Sequence, residues 1–338
     1  MSGSRPPDDT TAPDATGTRP LVSVVTIAYN VAPFIRAAID SALMQRVDFD
    51  FEVVIGEDCS TDGTREIVRE YATEHPHRVR ALLNERNLGM NRNFVATLQQ
   101  ARGEFVALLD GDDYWTTVDK LQRQVDFLRS HPQCSICFHN VSVVYEHGDR
   151  EPHPFHLRNP DRPITHHVPK PVSTIADLAG GNFLQTCSVM FRAGLYGELP
   201  SWFLEMPTFD WPLHLLNASH GQIGYIDEIM GAYRVHAAGF WSMNMALYRT
   251  IEDVESMIRG YRLVDAYTGG RFHDRIARQL HPLYLRAAAL LIGQGQRGRA
   301  TRYAARALAN WRNSDSQDRR RALVTLAQAI GPRRLGRR

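Results

Sequence analysis

The chain reads as an α/β protein, a mainly parallel sheet flanked by helices, followed by a helical C-terminal extension. Three observations predict this. Aliphatic and β-branched runs at 21–27, 51–55, 79–83 and 105–109 alternate with segments of helical periodicity, the pattern of βαβ units with right-handed crossovers. The runs show little polar alternation, as strands buried on both faces require. From Met243 onward the periodicity is helical.

Taken in order, residues 1–20 are Ser, Thr, Pro, Asp and Gly without the apolar core of a signal peptide, and read as a disordered leader. Leu21–Ile27 is the first strand, ending at Ala28-Tyr29-Asn30; a helix follows from Pro33, where a missing N–H costs little. Phe51–Ile55 ends in Gly56-Glu57-Asp58-Cys59-Ser60-Thr61-Asp62-Gly63-Thr64, a polar loop suited to cap a helix at 64–74. Val79–Leu83 is a third strand, and 91–102 a helix. Phe105–Leu109 is a fourth strand, which runs into Asp110-Gly111-Asp112-Asp113. An amphipathic helix is predicted at 120–130, then strands at 135–144, 186–192, 221–225 and 228–235, with a helix at 211–219. Segments 284–292 and 299–308, parted by Gly293-Gln294-Gly295, form an antiparallel helix pair. The expected organisation is a leader at 1–20, a domain at 21–241, a helical region at 242–330 and a basic tail at 331–338.

Hydrophobic residues at 43% and charged residues at 22% suit a globular protein with a substantial core. Net charge is +2, but residues 297–338 hold twelve Arg and two Asp, so this segment carries +10 and the remainder −8. That basic end reads either as a contact for anionic membrane or as a solvated helical face. Nucleic-acid binding is disfavoured, because no aromatic-basic interleaving is present. No run approaches ~18 apolar residues, so no spanning helix is expected. Cys134 and Cys137 form a lone CxxC inside an apolar strand, which favours buried reduced thiols and a cytoplasmic location over zinc or redox chemistry. His147, His153, His156, His166 and His167 crowd a Pro-rich stretch at 146–171, but match no zinc-finger or HExxH spacing. Nothing in the sequence sets an oligomeric state.

The acid cluster has two readings. Asp110, Asp112 and Asp113 can form a solvated turn, or they can hold a hard divalent cation, which takes oxygen ligands together with substrate phosphates. In an open α/β sheet, ligands bind beyond the carboxyl ends of the strands. Tyr29-Asn30, Glu57-Asp58 and Asp110–Asp113 all fall at such ends, which favours one shared site.

Val22–Asn30, Glu57–Thr64, Asn87-Leu88-Gly89 and Leu109–Asp113, followed by Asp210-Trp211-Pro212 and Tyr233-Arg234-Val235-His236, resemble in order and spacing the family-2 glycosyltransferases of GT-A fold. The resemblance covers about 21–241. It implies an inverting sugar transfer from a nucleotide-sugar, UDP-linked, assisted by Mg²⁺ or Mn²⁺. The acceptor would be a cell-surface glycan, a lipid-linked acceptor or a small-molecule natural product. It further implies that Ile27, Ala28 and Tyr29 flank the base, that Asp58 binds it, and that Arg92 approaches the diphosphate from a helix or else lies on a solvated face. Asp110 and Asp112 would contact the donor, Asp112, Asp113 and His236 the metal, and Arg234 the phosphate. Gln185, Thr186 and Trp211 would face sugar or acceptor. Asp210 would be the general base, a role a helix N-terminus suits by keeping the acid ionised. Glu57 and Cys59 depart from the family's usual Asp and Gly or Asn, and Phe209 replaces the usual companion acid. A nucleotidyltransferase would need a Gly-rich basic loop after the first strand, where this chain has Tyr29-Asn30-Val31-Ala32-Pro33; a non-catalytic relative would be expected to have lost the acids.

Overall fold

The structure, a computed structural model, describes residues 19–146, 150–156, 170–237, 239, 250–310 and 316–330. The leader at 1–18, His147, His166 and His167, the boundary near 241 and the tail at 331–338 lie outside the described residues.

The strands are β1 (Val22–Ala28), β2 (Phe51–Glu57), β3 (Val79–Leu83), β4 (Phe105–Leu108), β5 (Tyr114–Trp115), β6 (Cys134–Tyr145), β7 (His153–Pro154), β8 (Val172–Ser173), β9 (Met190–Arg192) and β10 (Gln222–Val235). They form one sheet in the order β3-β2-β1-β4-β9-β6-β10-β5, with β7 on β6 and β8 on β10. β3, β2, β1 and β4 are parallel, as are β6 and β10. β9 runs antiparallel between β4 and β6, so those two halves share a direction. The carboxyl ends of β1, β2, β4 and β10 therefore open on one edge. β1 and β2 are buried almost throughout, which is why they read as unbroken apolar runs.

The helices are α1 (Ala32–Leu43), α2 (Thr64–Glu74), α3 (Met90–Leu98), α4 (Lys120–Ser130), α5 (Ile175–Leu178), α6 (Asp210–Ala218), α7 (Ile251–Tyr267), α8 (His273–Gly293), α9 (Arg297–Ala309) and α10 (Ser316–Ile330). α1 buries Phe34, Ile35, Ala38, Ile39 and Ala42, the stripe its spacing predicted. None of the described helices is long and apolar enough to cross a membrane.

Four elements differ from expectation. α3 stops at Leu98, because the Arg102 N–H goes to Ser23 Oγ (3.0 Å) and Glu52 Oε1 (2.9 Å) instead of a helical carbonyl. The strand expected at 186–192 is a 3₁₀ turn at Thr186–Ser188 followed by the short β9; the Gln185 carbonyl takes both the N–H and the hydroxyl of Ser188. The two strands expected at 221–235 are the single β10, whose register slips between Ile226, Ile229 and Gly231, as a bulge would have it. β5, β7 and β8 were not anticipated. In the His-rich stretch, His153 lies on β7 against the Tyr145 hydroxyl (3.1 Å) and His156 packs against Phe138, Phe155 and Tyr225. Cys134 and Cys137 are buried free thiols, as expected, and so is Cys187.

Candidate active site

The carboxylate loop is pinned to its neighbours before any ligand is considered. Gly111 N–H donates to the Ile27 carbonyl (3.1 Å), and a Cβ at Gly111 would stand 2.9 Å from that oxygen, so glycine lets the loop lie on the end of β1. Asp113 is buried, and its Oδ1 accepts from Arg234 N–H (2.8 Å). Arg234 Nε donates to the Asp112 carbonyl (2.9 Å), and its guanidinium lies between the rings of Phe34 (4.8 Å) and Tyr114 (5.1 Å). His236 Nε2 is 3.0 Å from Asp112 Oδ2, with the His236 ring 4.4 Å from that of Phe34. The ends of β4 and β10 thus interlock through Asp112, Asp113, Arg234 and His236. Of these four groups, Asp112 retains 25% side-chain exposure.

Asp110 and Asp113 are held well above the usual carboxylate range, first by burial and then by the charge of Asp112 beside them. Asp210 also raises Asp110, while the Thr186 hydroxyl opposes the rise. An acid a hundred residues further along the chain therefore shares this field. Asp210 opens α6; its Oδ2 accepts from Asn182 Nδ2 (2.8 Å), and Oδ1 is buried without a hydrogen-bond partner. Burial raises the Asp210 carboxyl too.

Clustered oxygens with one imidazole suit a hard cation such as Mg²⁺ or Mn²⁺. Among the described residues, no three His, Cys, Asp or Glu side chains form a ready-made cation cage. Asp112 and His236 stand together, and an ion of this kind is commonly completed by phosphate and water. The residues fit such an ion.

At the neighbouring strand ends, Tyr29 is about half exposed and is not a core residue. The carbonyls of Ile27 and Ala28 accept from Gly111 and Asp58 N–H. The Asp58 carboxylate is buried and accepts from Asn84 Nδ2 (3.0 Å), Leu88 N–H (2.8 Å) and Gly89 N–H (2.9 Å), tying down the Asn87-Leu88-Gly89 turn. A carboxylate has about four acceptor positions, so one is left over. Glu57 binds Arg65 (2.6 Å) and Ser60 N–H (2.7 Å), and shapes the loop. Cys59 has φ 60°, the left-handed region that explains why Gly or Asn is usual there. Arg92 is exposed on the first turn of α3.

Trp211 corrects an expectation. It is buried, its Nε1–H goes to the Leu178 carbonyl (2.9 Å), and its ring meets Tyr261 at 4.6 Å. It packs α6 and offers no platform to a sugar. Thr186 reaches the cluster, and Gln185 takes part through its carbonyl. Phe34, Tyr114, Asn182 and Cys187, whose thiol faces Asp113, were missed by sequence reasoning. Only the aromatic residues flanking Pro33 and Asp113 gave any signal. A separate groove of about 1000 Å³, lined by Leu98, Phe191, Tyr196 and Phe203, lies beside Glu104 at the opposite edge and holds none of these acids.

The glycosyl transferase family 2 profile matches residues 23–192. The protein Rv1520 of Mycobacterium tuberculosis is 37% identical over 263 residues, spanning 73% of this chain and 72% of its own. TuaG of Bacillus subtilis, named for teichuronic acid biosynthesis, is 36% identical over 133 residues, 39% of this chain and 51% of its own. Among solved structures, S. aureus TarS 1–349 with UDP-GlcNAc aligns with TM-score 0.51 at 19% identity, over 86% of this chain and 89% of that one. Mannosyltransferase PcManGT of Pyrobaculum calidifontis, with GDP-Man and Mn²⁺, aligns with TM-score 0.50 at 20% identity, over 94% and 88%. These two likenesses are of fold. The matched profile covers half the chain, and it falls on the strands that carry Tyr29, Asp58 and the Asp110–Asp113 loop: the chain belongs to glycosyl transferase family 2.

Proposed function

We propose that this glycosyltransferase moves a sugar from a nucleoside-diphosphate donor, UDP-linked, to an acceptor hydroxyl with inversion, in the assembly of cell-surface polysaccharide. The observation that carries the reading is the interlock of Asp112 and Asp113, past the end of β4, with Arg234 and His236, at the end of β10. It gathers carboxylates, an imidazole and a guanidinium at the strand ends, and Asp210 lies close enough to raise Asp110. Sugar-nucleotide ligands in TarS and PcManGT, and the Mn²⁺ in the latter, support the donor class. TuaG supports the pathway class.

In this reading Tyr29 stacks on the base, while Ile27, Ala28 and the remaining acceptor position of Asp58 border it. Arg234 faces the diphosphate, held between Phe34 and Tyr114, and Arg92 approaches from α3. Asp112, Asp113 and His236 would hold Mg²⁺ or Mn²⁺, which as a Lewis acid stabilises charge gathering on the leaving diphosphate. Asp110 and Thr186 border the sugar. Asp210 takes the acceptor proton as the C–O bond forms. Asn182 orients one oxygen of that carboxylate.

The domain runs over 21–241 and the helical region over 242–330. On α10, Leu323, Val324 and Ile330 are exposed beside exposed Arg320 and Arg321. This supports peripheral attachment to the inner, anionic face of a membrane, where a lipid-linked acceptor is presented. Co-sedimentation with anionic but not zwitterionic vesicles is expected; equal partition to both rejects the attachment.

A screen of nucleotide-sugars against glycan and lipid-linked acceptors, with and without Mn²⁺ or Mg²⁺, tests the reaction by nucleotide release. Absence of metal-dependent release from every donor rejects it.

A further inference from the structure

Lys120 stands where a lysine is least expected. It opens α4, at the positive end of the helix, and is 0% exposed. A helix N-terminus disfavours a cation, and a buried charge without partners is costly. Its Nζ makes no hydrogen bond and lies 3.8 Å over the Trp115 ring. Burial pushes Lys120 down to about 7, with Cys137 and Cys187 resisting. A Met or Leu would fill the same space without these penalties, so packing alone does not account for the lysine.

Its surroundings are complementary to it. Gln124, one turn along α4, has a buried Oε1 without a partner, and His139 has a buried Nε2 without one. His139 Nδ1 lies 2.7 Å from the Asn140 carbonyl, which makes Nδ1 the protonated nitrogen and Nε2 an acceptor. Burial and then the Lys120 charge push His139 down to about 3, so it stays neutral.

The same cluster grips the turn at Thr186–Ser188. Trp115 Nε1–H donates to the Cys187 carbonyl (2.8 Å), and Gln124 Nε2 donates to the Ser188 carbonyl (2.8 Å). On its other side the turn faces the acids, the Thr186 hydroxyl toward Asp110 and the Cys187 thiol toward Asp113, while Trp115, two residues past Asp113, ties the end of that loop to the Cys187 carbonyl. We propose that Lys120 is a positioning residue for the carboxylate site: lodged against Trp115 one turn before Gln124, it backs the two side chains that hold the Thr186–Ser188 turn and hence fixes the orientation of Asp110 and Asp113 toward a bound cation. This rests on the reading of those acids as the donor and cation site.

The test uses the full chain with Lys120→Met, which keeps the volume, and Trp115→Phe, which keeps a ring but removes Nε1–H. Leu121→Ala, at a fully buried neighbour on α4, is the control for lost packing. Mn²⁺ binding with excess UDP is read from the paramagnetic resonance of the free ion, and folding from circular dichroism melts. Lys120→Met and Trp115→Phe are expected to weaken Mn²⁺ binding about tenfold, as loss of an outer-shell partner does, with native secondary structure. Leu121→Ala should lower the melting temperature and leave the Kd unchanged. A Lys120→Met Kd within twofold of wild type overturns the proposal, as does an equal weakening in Leu121→Ala. If Lys120→Met does not fold, Lys120→Gln and Trp115→Phe carry the same expectations. A wild type that takes up no Mn²⁺ overturns the donor-site reading itself, and the proposal with it.

Discussion

Asp210→Asn removes one charge and almost no volume from the site. The bond from Asn182 Nδ2 to Oδ2 (2.8 Å) survives, because the amide oxygen accepts in its place. The amide nitrogen then takes the position of Oδ1. What disappears is proton transfer, worth about 10²–10⁴ in rate, or about 2.7–5.4 kcal/mol at about 1.36 kcal/mol per decade. On the donor side the change acts the other way. Asp210 is one of the charges that raise Asp110, so its removal eases repulsion there and does not weaken donor or cation binding. The expected result is a fall of about 10³ in kcat with donor KM within about threefold of wild type. Steady-state rates at saturating acceptor and calorimetry of UDP with Mn²⁺ measure the two. Burial raises Asp210, so wild-type activity should disappear as pH falls through a value above the ordinary carboxylate range, where the base becomes protonated. Transfer retained within tenfold, or a change confined to KM, refutes Asp210 as the base.

Three further outcomes follow from other parts of the structure. Glu52 is buried and accepts from Ser23 (2.7 Å), Arg80 (2.9 Å) and Arg102 (2.8 Å). Burial acts to raise its carboxyl, but these bonds more than offset that and hold it low. Its stabilisation is therefore present above the unfolded carboxylate pKa and is lost as pH falls through the lower folded value. Glu52→Gln should cost about 2 kcal/mol at pH 7 in urea melts, less than the loss of a fully buried pair because both arginines keep contact with water, with a smaller deficit at acid pH; a deficit that does not shrink tells against the ion pairs. Arg234→Lys loses the planar stacking between Phe34 and Tyr114 and the Nε bond to Asp112, and should raise donor KM about tenfold; an unchanged KM removes Arg234 from the donor site. Tyr261→Ala opens a cavity against Trp211 and should cost about 3 kcal/mol, with a fall in kcat as α6 loosens; a lower melting temperature with unchanged kcat separates α7 from the Asp210 site.

Much of this fold was legible because its central strands are buried on both faces, and its helices carry clean apolar stripes. The parts that were not legible depend on distant partners. β5 is two residues long and exists through its pairing with Gly231 and Ala232. α3 ends early because Ser23 and Glu52, far back in the chain, claim the Arg102 N–H. The same division holds in the site. Asp110, Asp112, Asp113, Asp210, Arg234 and His236 declare themselves as polar residues at element ends. Asn182, Cys187 and Phe34 are ordinary residue types, whose roles arise only when folding sets them against a carboxylate, an imidazole or a guanidinium. Trp211 shows the converse: beside the proposed base it reads as a sugar platform, yet its one donor is consumed by Leu178.

The helical region has a stake in the chemistry that a boundary near 241 conceals. Val25, Phe94, Trp211, Ile258, Tyr261, Leu280 and Ala307 belong to one continuous apolar core, so the helices beyond the sheet close the same interior that β1 and α3 begin. α7 is placed against the segment that leads into Asp210. A Cβ on Gly260 would lie 3.2 Å from Met206 Cε and 3.2 Å from Pro207 Cδ. The Met206 carbonyl in turn accepts from Asn91 Nδ2 (2.6 Å) on α3. The approach to Asp210 is thus held from α3 on one side and α7 on the other, while Trp211 is wedged between Leu178 and Tyr261. In its proposed role as base, Asp210 must sit within a fraction of an ångström of the proton it takes. The loop before Asp210 has no sheet pairing of its own to provide that rigidity, so the C-terminal helices supply it by packing.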